Sequence, residues 1–366
     1  MYATLGIRGS ARSRSIEPKR RLRRSTVTDD LVPLSPEEGI DRFLRHRESE
    51  VRESTMRNMR TRLRFFREWC EEREIDNLND LTGRKLADFV AWRRGDIKDV
   101  TLQKQLTTIR VALRHWANIE AVPDGLDEKL HAPELPDGAD SREVALSADR
   151  AEEILQYLRE HHYASRDHAI MVILWRTAIR RGALRSLDVD DLRPDDNALV
   201  LRHRIDEGTK LKNGENGERW VYLGPVYYQV IEDYLDNPDR YDVTDDHGRE
   251  PLITTPYGRP SGNTIYKIVN RLTHPCLIGG CPHGRDPDNP STCDAIGTDG
   301  YPSKCPSSRS PHGVRRGSIT HHLNSDVSPE TVSERCDVSL EVLYNHYDVR
   351  TDREKMAVRK RKLEEF

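Results

Sequence analysis

The chain has 366 residues, with 59 basic side chains against 62 acidic ones, a net charge of −3 and only 6% aromatic residues. That length is generous for one hydrophobic core and suits two domains. No apolar run reaches the length of a bilayer span and the N-terminus is rich in arginine, so neither a membrane segment nor a secretory signal is expected, and the protein is expected to be soluble and cytoplasmic.

Balanced charge alone says nothing about nucleic acid, so the distribution matters more than the sum. Residues 1–34 carry the run RGSARSRSIEPKRRLRRS, which has too little apolar content to fold alone. It reads as a disordered tail or as a flexible arm that contacts DNA phosphates, and the two readings are compatible. Residues 35–120 read as a helical module. Ser35 is placed as an N-cap, with Pro36 at the first helical position and Glu38 as capping-box partner. Met56, Met59, Leu63, Phe66 and Cys70 then recur at steps of three and four, marking the apolar face of a long helix. Arg57, Arg60, Arg64 and Arg67 follow the same spacing about a quarter turn away, either as a solvated face or as a stripe for the DNA backbone. A short helix is expected from Gly83. A last one carries Leu102, Leu106, Ile109, Leu113 and Trp116 inward, leaving Lys104, Arg110 and Arg114 elsewhere on its surface as further DNA-contact candidates.

Residues 121–146 hold three prolines and several turn signals and read as a linker. Beyond it, Ser147 caps an expected helix, and RDHAIMVILWRTAIRRGALRSL reads as one buried helix ending near Gly182. ALVLRHRI and RWVYL alternate like the strands of a β-hairpin around the polar turn KLKNGENGE, and two more helices follow. Residues 274–308 carry Cys276, Cys281, Cys293 and Cys305 among Gly, Pro, Asp and Ser. Four thiols in a loop too polar to fold by apolar burial suit a structural tetrahedral zinc, the alternative being free cysteines. Such a site would brace the helix after it and do no chemistry. In PHGVRRGSIT, His312 and Arg315 stand three apart on one helical face, where both can reach a single anionic group such as a phosphate. Two short helices capped by Ser328 and Ser339 lead to Tyr347, and residues 351–366 form a charged helix expected to dock on something, a neighbouring protomer included.

TAIRRGALRSL, a lysine on a hairpin turn, His312 with Arg315 and a late tyrosine, taken in that order, resemble the tyrosine recombinase (phage integrase) family, in an archaeal-type form with a Cys-rich insertion. The likeness covers residues 35–350, and the N-terminal module is similar to the family's helical core-binding domain. Thr177, Ile179, Arg180 and Leu184 match the first arginine motif, whereas Ala178 replaces its Gly and Ala183 its Glu. The hairpin points to Lys212, with Lys210 second; Arg316 stands where a histidine is common; and the distance from Arg315 favours Tyr347 over Tyr344 as nucleophile. A position usually held by histidine or tryptophan falls near Asp337, which is neither.

The resemblance implies a mainly α fold with a small antiparallel sheet, its catalytic domain at residues 147–350. It implies DNA cut and rejoined through a covalent 3′-phosphotyrosine on Tyr347, and a homotetramer on two double-stranded sites. Two arginines, Arg180 and Arg315, would neutralise a phosphodiester, His312 would accept the tyrosine proton and Lys212 would protonate the leaving oxygen. No cofactor is expected for the chemistry, because the phosphotyrosine conserves the bond energy. A non-catalytic DNA-binding protein on the same scaffold, and a topoisomerase of type IB, are the alternatives.

Overall fold

The computed structural model describes residues 31–135, 144–286, 289–296, 301–348 and 350–364. The basic run at 1–30 lies outside them. The chain divides into two compact units, Met1–Asp140 and Ser141–Phe366, and it is mainly helical with one three-stranded antiparallel sheet.

The first unit is built from α1 (Pro36–Glu48), α2 (Glu53–Glu72), α3 (Gly83–Arg94) and α4 (Asp99–Asn118). Ser35 caps α1 by accepting the Glu38 amide at 3.2 Å, but the Glu38 carboxylate turns to Arg42, so the capping box is half made. Phe43, Leu63, Phe66, Trp69, Phe89 and Trp116 fill the core with no more than 1% exposure. Two expected boundaries move. Residues 31–34 belong to this unit, since Val32 donates its amide to Glu120, the Leu34 carbonyl accepts from Leu78, and Leu34 is buried. Residues 121–130 belong to it as well, because Ala121, Val122, Leu126 and Leu130 close the same core. The expected linker is therefore shorter than 121–146: burying four apolar side chains outweighs the turn signals around them.

The second unit begins with α5 (Ala148–His161), capped by Ser147, and α6 (Arg166–Thr177), which is buried on almost every face. The buried helix expected through to Gly182 breaks at Ala178, in the left-handed conformation at φ 50°. Thr177 Oγ1 accepts the Ile179 amide at 3.4 Å across the break, and a new helix, α7 (Arg181–Ser186), starts with Arg180 as its extended N-cap. Strands β1 (Leu192–Arg193), β2 (Ala198–Leu201) and β3 (Arg219–Tyr222) pair in that order, with Leu199 opposite Val221. The expected hairpin is thus present with a third, two-residue strand at its edge. Then come α8 (Pro225–Leu235), α9 (Gly262–Leu272), α10 (Pro311–Asn324), α11 (Pro329–Cys336) and the short α12 (Leu340–Val342). α12 runs on into a π-helical turn, Leu343–Tyr347, before the last helix, α13 (Asp352–Glu364). α13 docks within its own chain, where Arg361 donates to the Asn324 carbonyl at the end of α10 at 2.8 Å.

α10 is pressed into the unit. Ser318 Oγ donates to the Trp175 carbonyl of α6 at 2.5 Å, and the Leu146 amide donates to Gly313 at 3.0 Å. A Cβ on Gly317 would lie 1.9 Å from the Leu146 carbonyl oxygen, a distance only a backbone shift could relieve. Gly317→Ala is therefore expected to lower the unfolding free energy by about 2 kcal/mol or more, read from urea unfolding of the full chain. A variant with an unchanged midpoint would mean that this close approach is not needed.

Candidate active site

Five side chains singled out by sequence meet on the second unit. The break at Ala178 sends Arg180 out of the α6 line. The first turn of α10 supplies His312 and Arg315, the 202–218 connection between β2 and β3 supplies Lys212, and the π-helical turn supplies Tyr347. The Tyr347 ring centroid is 5.6 Å from that of His312, and the Arg315 guanidinium sits over the same ring, 5.3 Å from its centroid. Tyr344 is half exposed, while Tyr347 packs at the edge of a small apolar cluster with Ile319, Leu323 and Leu343. Its turn is held by Thr320, which donates to the Tyr347 carbonyl at 3.1 Å, and by the Asp348 amide, which donates to Leu343 at 2.8 Å.

Arg315 is 2% exposed. Its Nη1 donates to the Ala178 carbonyl at 2.5 Å, so the left-handed residue that ends α6 also anchors this guanidinium. Nε and Nη2 are buried with no hydrogen-bond partner among the described residues. A buried cation with two unmet donors is costly unless an anion completes it. Arg180 lies close enough to Arg315 and Tyr347 for each to shift its pKa; burial, then Arg315, lower it, and Asp337 raises it. Its Nη1 is paired with Asp337 Oδ2.

His312 keeps solvent access. Its pKa is nevertheless lowered from 6.5, first because neighbouring protein strips water from part of the ring, then because Arg315, Arg316, Lys212 and Arg180 repel a proton there. The imidazole is therefore neutral at pH 7 and able to accept a proton. The same influence places Lys212, itself exposed, beside the site. Sequence reasoning passed over two further members. Arg219, at the start of β3, donates to the Arg335 carbonyl at 2.8 Å, and burial brings its pKa down to about 10 against the pull of Asp337. Asp337, at the position where neither histidine nor tryptophan stands, is an acceptor at the centre of the group. No local pattern marks either residue, because their partners are far away in the chain.

The four cysteines lie in one excursion whose ends are stitched together just before α10. Ser308 Oγ donates to the Asn270 carbonyl at 2.6 Å and Thr273 Oγ1 to the Arg309 carbonyl at 2.9 Å. Cys293 and Cys305 are buried together with Ala295, and Cys276 and Cys281 are hydrogen-bonded to each other. Among the described residues no three His, Cys, Asp or Glu side chains are set to hold a metal ion.

In the first unit, Arg57, Arg60, Arg64, Lys104 and Arg114 are exposed. Arg57 pairs with Glu53, Arg64 with Glu68, Arg67 with Glu71 and Arg114 with Asp127, so the stripe carries more acidic partners than its own positions suggest. Arg110 donates through Nε to the Leu130 carbonyl at 2.9 Å and serves to fasten the end of the unit. No helix among the described residues is long and apolar enough to cross a membrane.

Residues 40–117 match the family described as phage integrase, N-terminal SAM-like domain. No curated protein matches the chain. Among solved structures, the Tn1549 transposon integrase in complex with a circular intermediate DNA aligns at 16% identity with a TM-score of 0.62, covering 90% of this chain and 99% of that one. The lambda integrase tetramer bound to a Holliday junction aligns at 15% identity with a TM-score of 0.59, covering 89% and 83%. The N-terminal domain of a phage integrase/site-specific recombinase from Haloarcula marismortui is 39% identical over 28% of this chain and 99% of its own, with a TM-score of 0.28. The chain shares its fold with the Tn1549 and lambda integrases.

A titration of the His312 ring followed by NMR should give a midpoint below 6.5, and Lys212→Ala, which removes one repelling cation, should move it upward. A midpoint at or above 6.5 in the unaltered protein would contradict the cationic surroundings described above.

Proposed function

We propose that the chain is a tyrosine site-specific recombinase, an integrase that cuts and rejoins double-stranded DNA through a covalent 3′-phosphotyrosine. The observation that carries this reading is Arg315, buried with two unmet donors beside Arg180, the Tyr347 ring and His312. A phosphodiester is the anion that suits two guanidinium forks with a phenol beside them.

On this reading Arg180 and Arg315 hold the non-bridging oxygens of the scissile phosphate. The Tyr347 oxygen attacks phosphorus as its proton passes to neutral His312, so a P–O(tyrosine) bond forms while the P–O5′ bond breaks. Lys212 protonates the departing 5′-oxygen. Attack by a 5′-hydroxyl reverses the steps and reseals the strand. One phosphoester replaces another throughout, so neither ATP nor a catalytic metal is required.

Arg57, Arg60, Arg64, Arg67, Lys104 and Arg114 are assigned to the DNA backbone, and Arg110 to holding the module that presents them. A homotetramer on two sites and action in the cytoplasm belong to the same reading; a tetramer on DNA is what the lambda integrase structure contains. The four cysteines are assigned to a structural zinc on their donor chemistry, since the buried cluster of the excursion among the described residues is small, Cys293, Cys305 and Ala295 with Ile296 against them. Binding would draw the two thiol pairs together and take no part in the reaction. Elemental analysis of purified protein should find one zinc per chain, lost on Cys293→Ser; metal-free protein would leave these thiols as ordinary packing groups.

The function is tested by incubating the full chain with randomised nicked duplexes and sequencing the DNA that stays covalently bound under denaturing conditions. The trapped DNA also defines the site. Tyr347→Phe should bind that duplex and form no adduct, and Arg315→Ala should slow adduct formation at least about a hundredfold. An adduct that survives Tyr347→Phe moves the nucleophile elsewhere, Tyr344 first. Absence of any adduct from the unaltered protein would favour a DNA-binding protein on this scaffold.

A further inference from the structure

Two parts of the second unit that bring reactive groups to the site converge on one carboxylate, that of Asp337. It follows the last residue of α11 in the left-handed conformation, at φ 53°, where its amide caps the helix by donating to Glu334 and Ser333. Its side chain is 14% exposed. One oxygen, Oδ2, accepts from Arg180 Nη1. The other, Oδ1, accepts from Asn213 Nδ2 at 2.7 Å. Asn213 is the residue after Lys212, so this bond fixes the connection that carries the lysine. A Cβ on Gly217, further along that connection, would stand 3.5 Å from Oδ2, which shows how closely the loop backbone lies against the carboxylate. α11 itself is tied to β3 and α6, because Arg335 Nη2 donates to the carbonyls of Tyr222 at 2.6 Å and Arg176 at 2.7 Å. The platform under Asp337 is rigid.

Resting on the function proposed above, we propose that Asp337 is a positioning residue: it aims the Arg180 guanidinium at the reacting phosphate and docks the Lys212 loop beside it through Asn213. Arg180 needs such an orienter. It leads a six-residue helix from an extended N-cap, and a planar fork reads a phosphate only when its plane is set. Burial and the Arg315 charge both work against its cationic form, while Asp337 supports it. One nitrogen committed to Asp337 leaves the rest of the fork for the anion, as Nη1 of Arg315 committed to Ala178 leaves Nε and Nη2. Among the described residues, each arginine is thus held to the protein through Nη1 only. Ala183, one turn into α7, has no charge to offer Arg180, and Asp337 supplies the carboxylate from a different part of the chain.

The useful variant is Asp337→Asn. Asparagine keeps the size and tolerates the left-handed backbone at least as well, so the fold is preserved. It loses the charge, and one acceptor oxygen becomes an amide donor that must face either Arg180 or Asn213. Adduct formation in a single turnover, on the duplex trapped by the unaltered full chain, is expected to slow about a hundredfold, as befits misplaced reacting groups, with DNA affinity unchanged or slightly tighter. Asn213→Ala should slow the same step, and the two substitutions together should slow it by less than the product of their separate effects, because they share the Asn213–Asp337 contact. Independently of any DNA, amide hydrogen exchange across residues 210–218 should rise in Asn213→Ala, which removes the bond to Asp337 outright, while that of α6 and α10 does not.

Unchanged exchange in the loop overturns the positioning role even if the protein proves not to cleave DNA, so the two readings fail separately. An Asp337→Asn protein that cleaves at the original rate overturns it as well. A faster one would mean that the carboxylate competes with the phosphate for Arg180, which is the opposite role.

Discussion

A guanidinium cannot be buried without a compensating arrangement, and the second unit is organised around one that is. Arg315 lies under the surface with a single carbonyl accepting from it, and that carbonyl is available because the chain turns left-handed at Ala178. A non-glycine residue in that conformation costs roughly 1–2 kcal/mol, and the Ala178 methyl is fully buried against Ile319 and Leu323. The break in α6 therefore does two things at once. It offers an acceptor to Arg315 and swings Arg180 out to meet it, so the pair of cations exists only because the helix fails where it does. Ser318 sets the closeness of α10 to α6 and the absence of a side chain at Gly317 its closeness to the Leu146 backbone, which keeps Arg315 at a depth where water screens it little.

Behind the site a second set of charges does purely structural work. Asp188 and Asp191 are buried carboxylates, and Arg204, Arg249 and Arg259 converge on them and on Asp245. These contacts join the end of α7 to the stem of the 202–218 connection and to the segment before α9. Every partner is an arginine, the side chain whose planar fork can satisfy two acceptors in one plane. Removing one carboxylate from such a group would strand several cations in low dielectric, a loss of about 3–5 kcal/mol for a buried pair. The loop that carries Lys212 is thus fixed at its base by these charges and docked further along through Asn213.

Much of this was legible in the amino-acid order, and the remainder was not for a definite reason. Ser35, Ser147 and Ser328 announced helix starts because capping is a local bond, and the stripes of Met56 to Cys70 and Leu102 to Trp116 announced buried faces because periodicity is local too. The site residues could be singled out by motif order, since a phosphate imposes its own demands on residue type. What escaped notice was everything decided over distance. The α6 break carries neither glycine nor proline, so nothing nearby signals it. Arg180 and Asp337 are 157 residues apart, and Arg110 was placed on a basic surface before the Leu130 carbonyl that engages it could be known. Residues 121–130 looked like a linker because turn chemistry is visible in sequence, whereas the cavity that Leu126 and Leu130 fill is not.

On the function proposed above, the two kinds of arginine in this chain also divide the work of holding DNA from that of cutting it. On α2 the exposed pairs Arg57 with Glu53 and Arg64 with Glu68 join residues one helical turn apart, and such pairs contribute only about 0–1 kcal/mol each. A phosphate can displace those glutamates at little cost, so a surface that looks neutral by count can still accept a polyanion, with an affinity that falls as salt rises. At the site the opposite holds. Arg315 is anchored by backbone and Arg180 by a partly buried carboxylate, neither is free to follow a shifting ligand, and a substrate must come to them in the right geometry. A net charge of −3 is therefore no obstacle to the proposed function, because the charges that would bind DNA are exchangeable and those that would act on it are fixed.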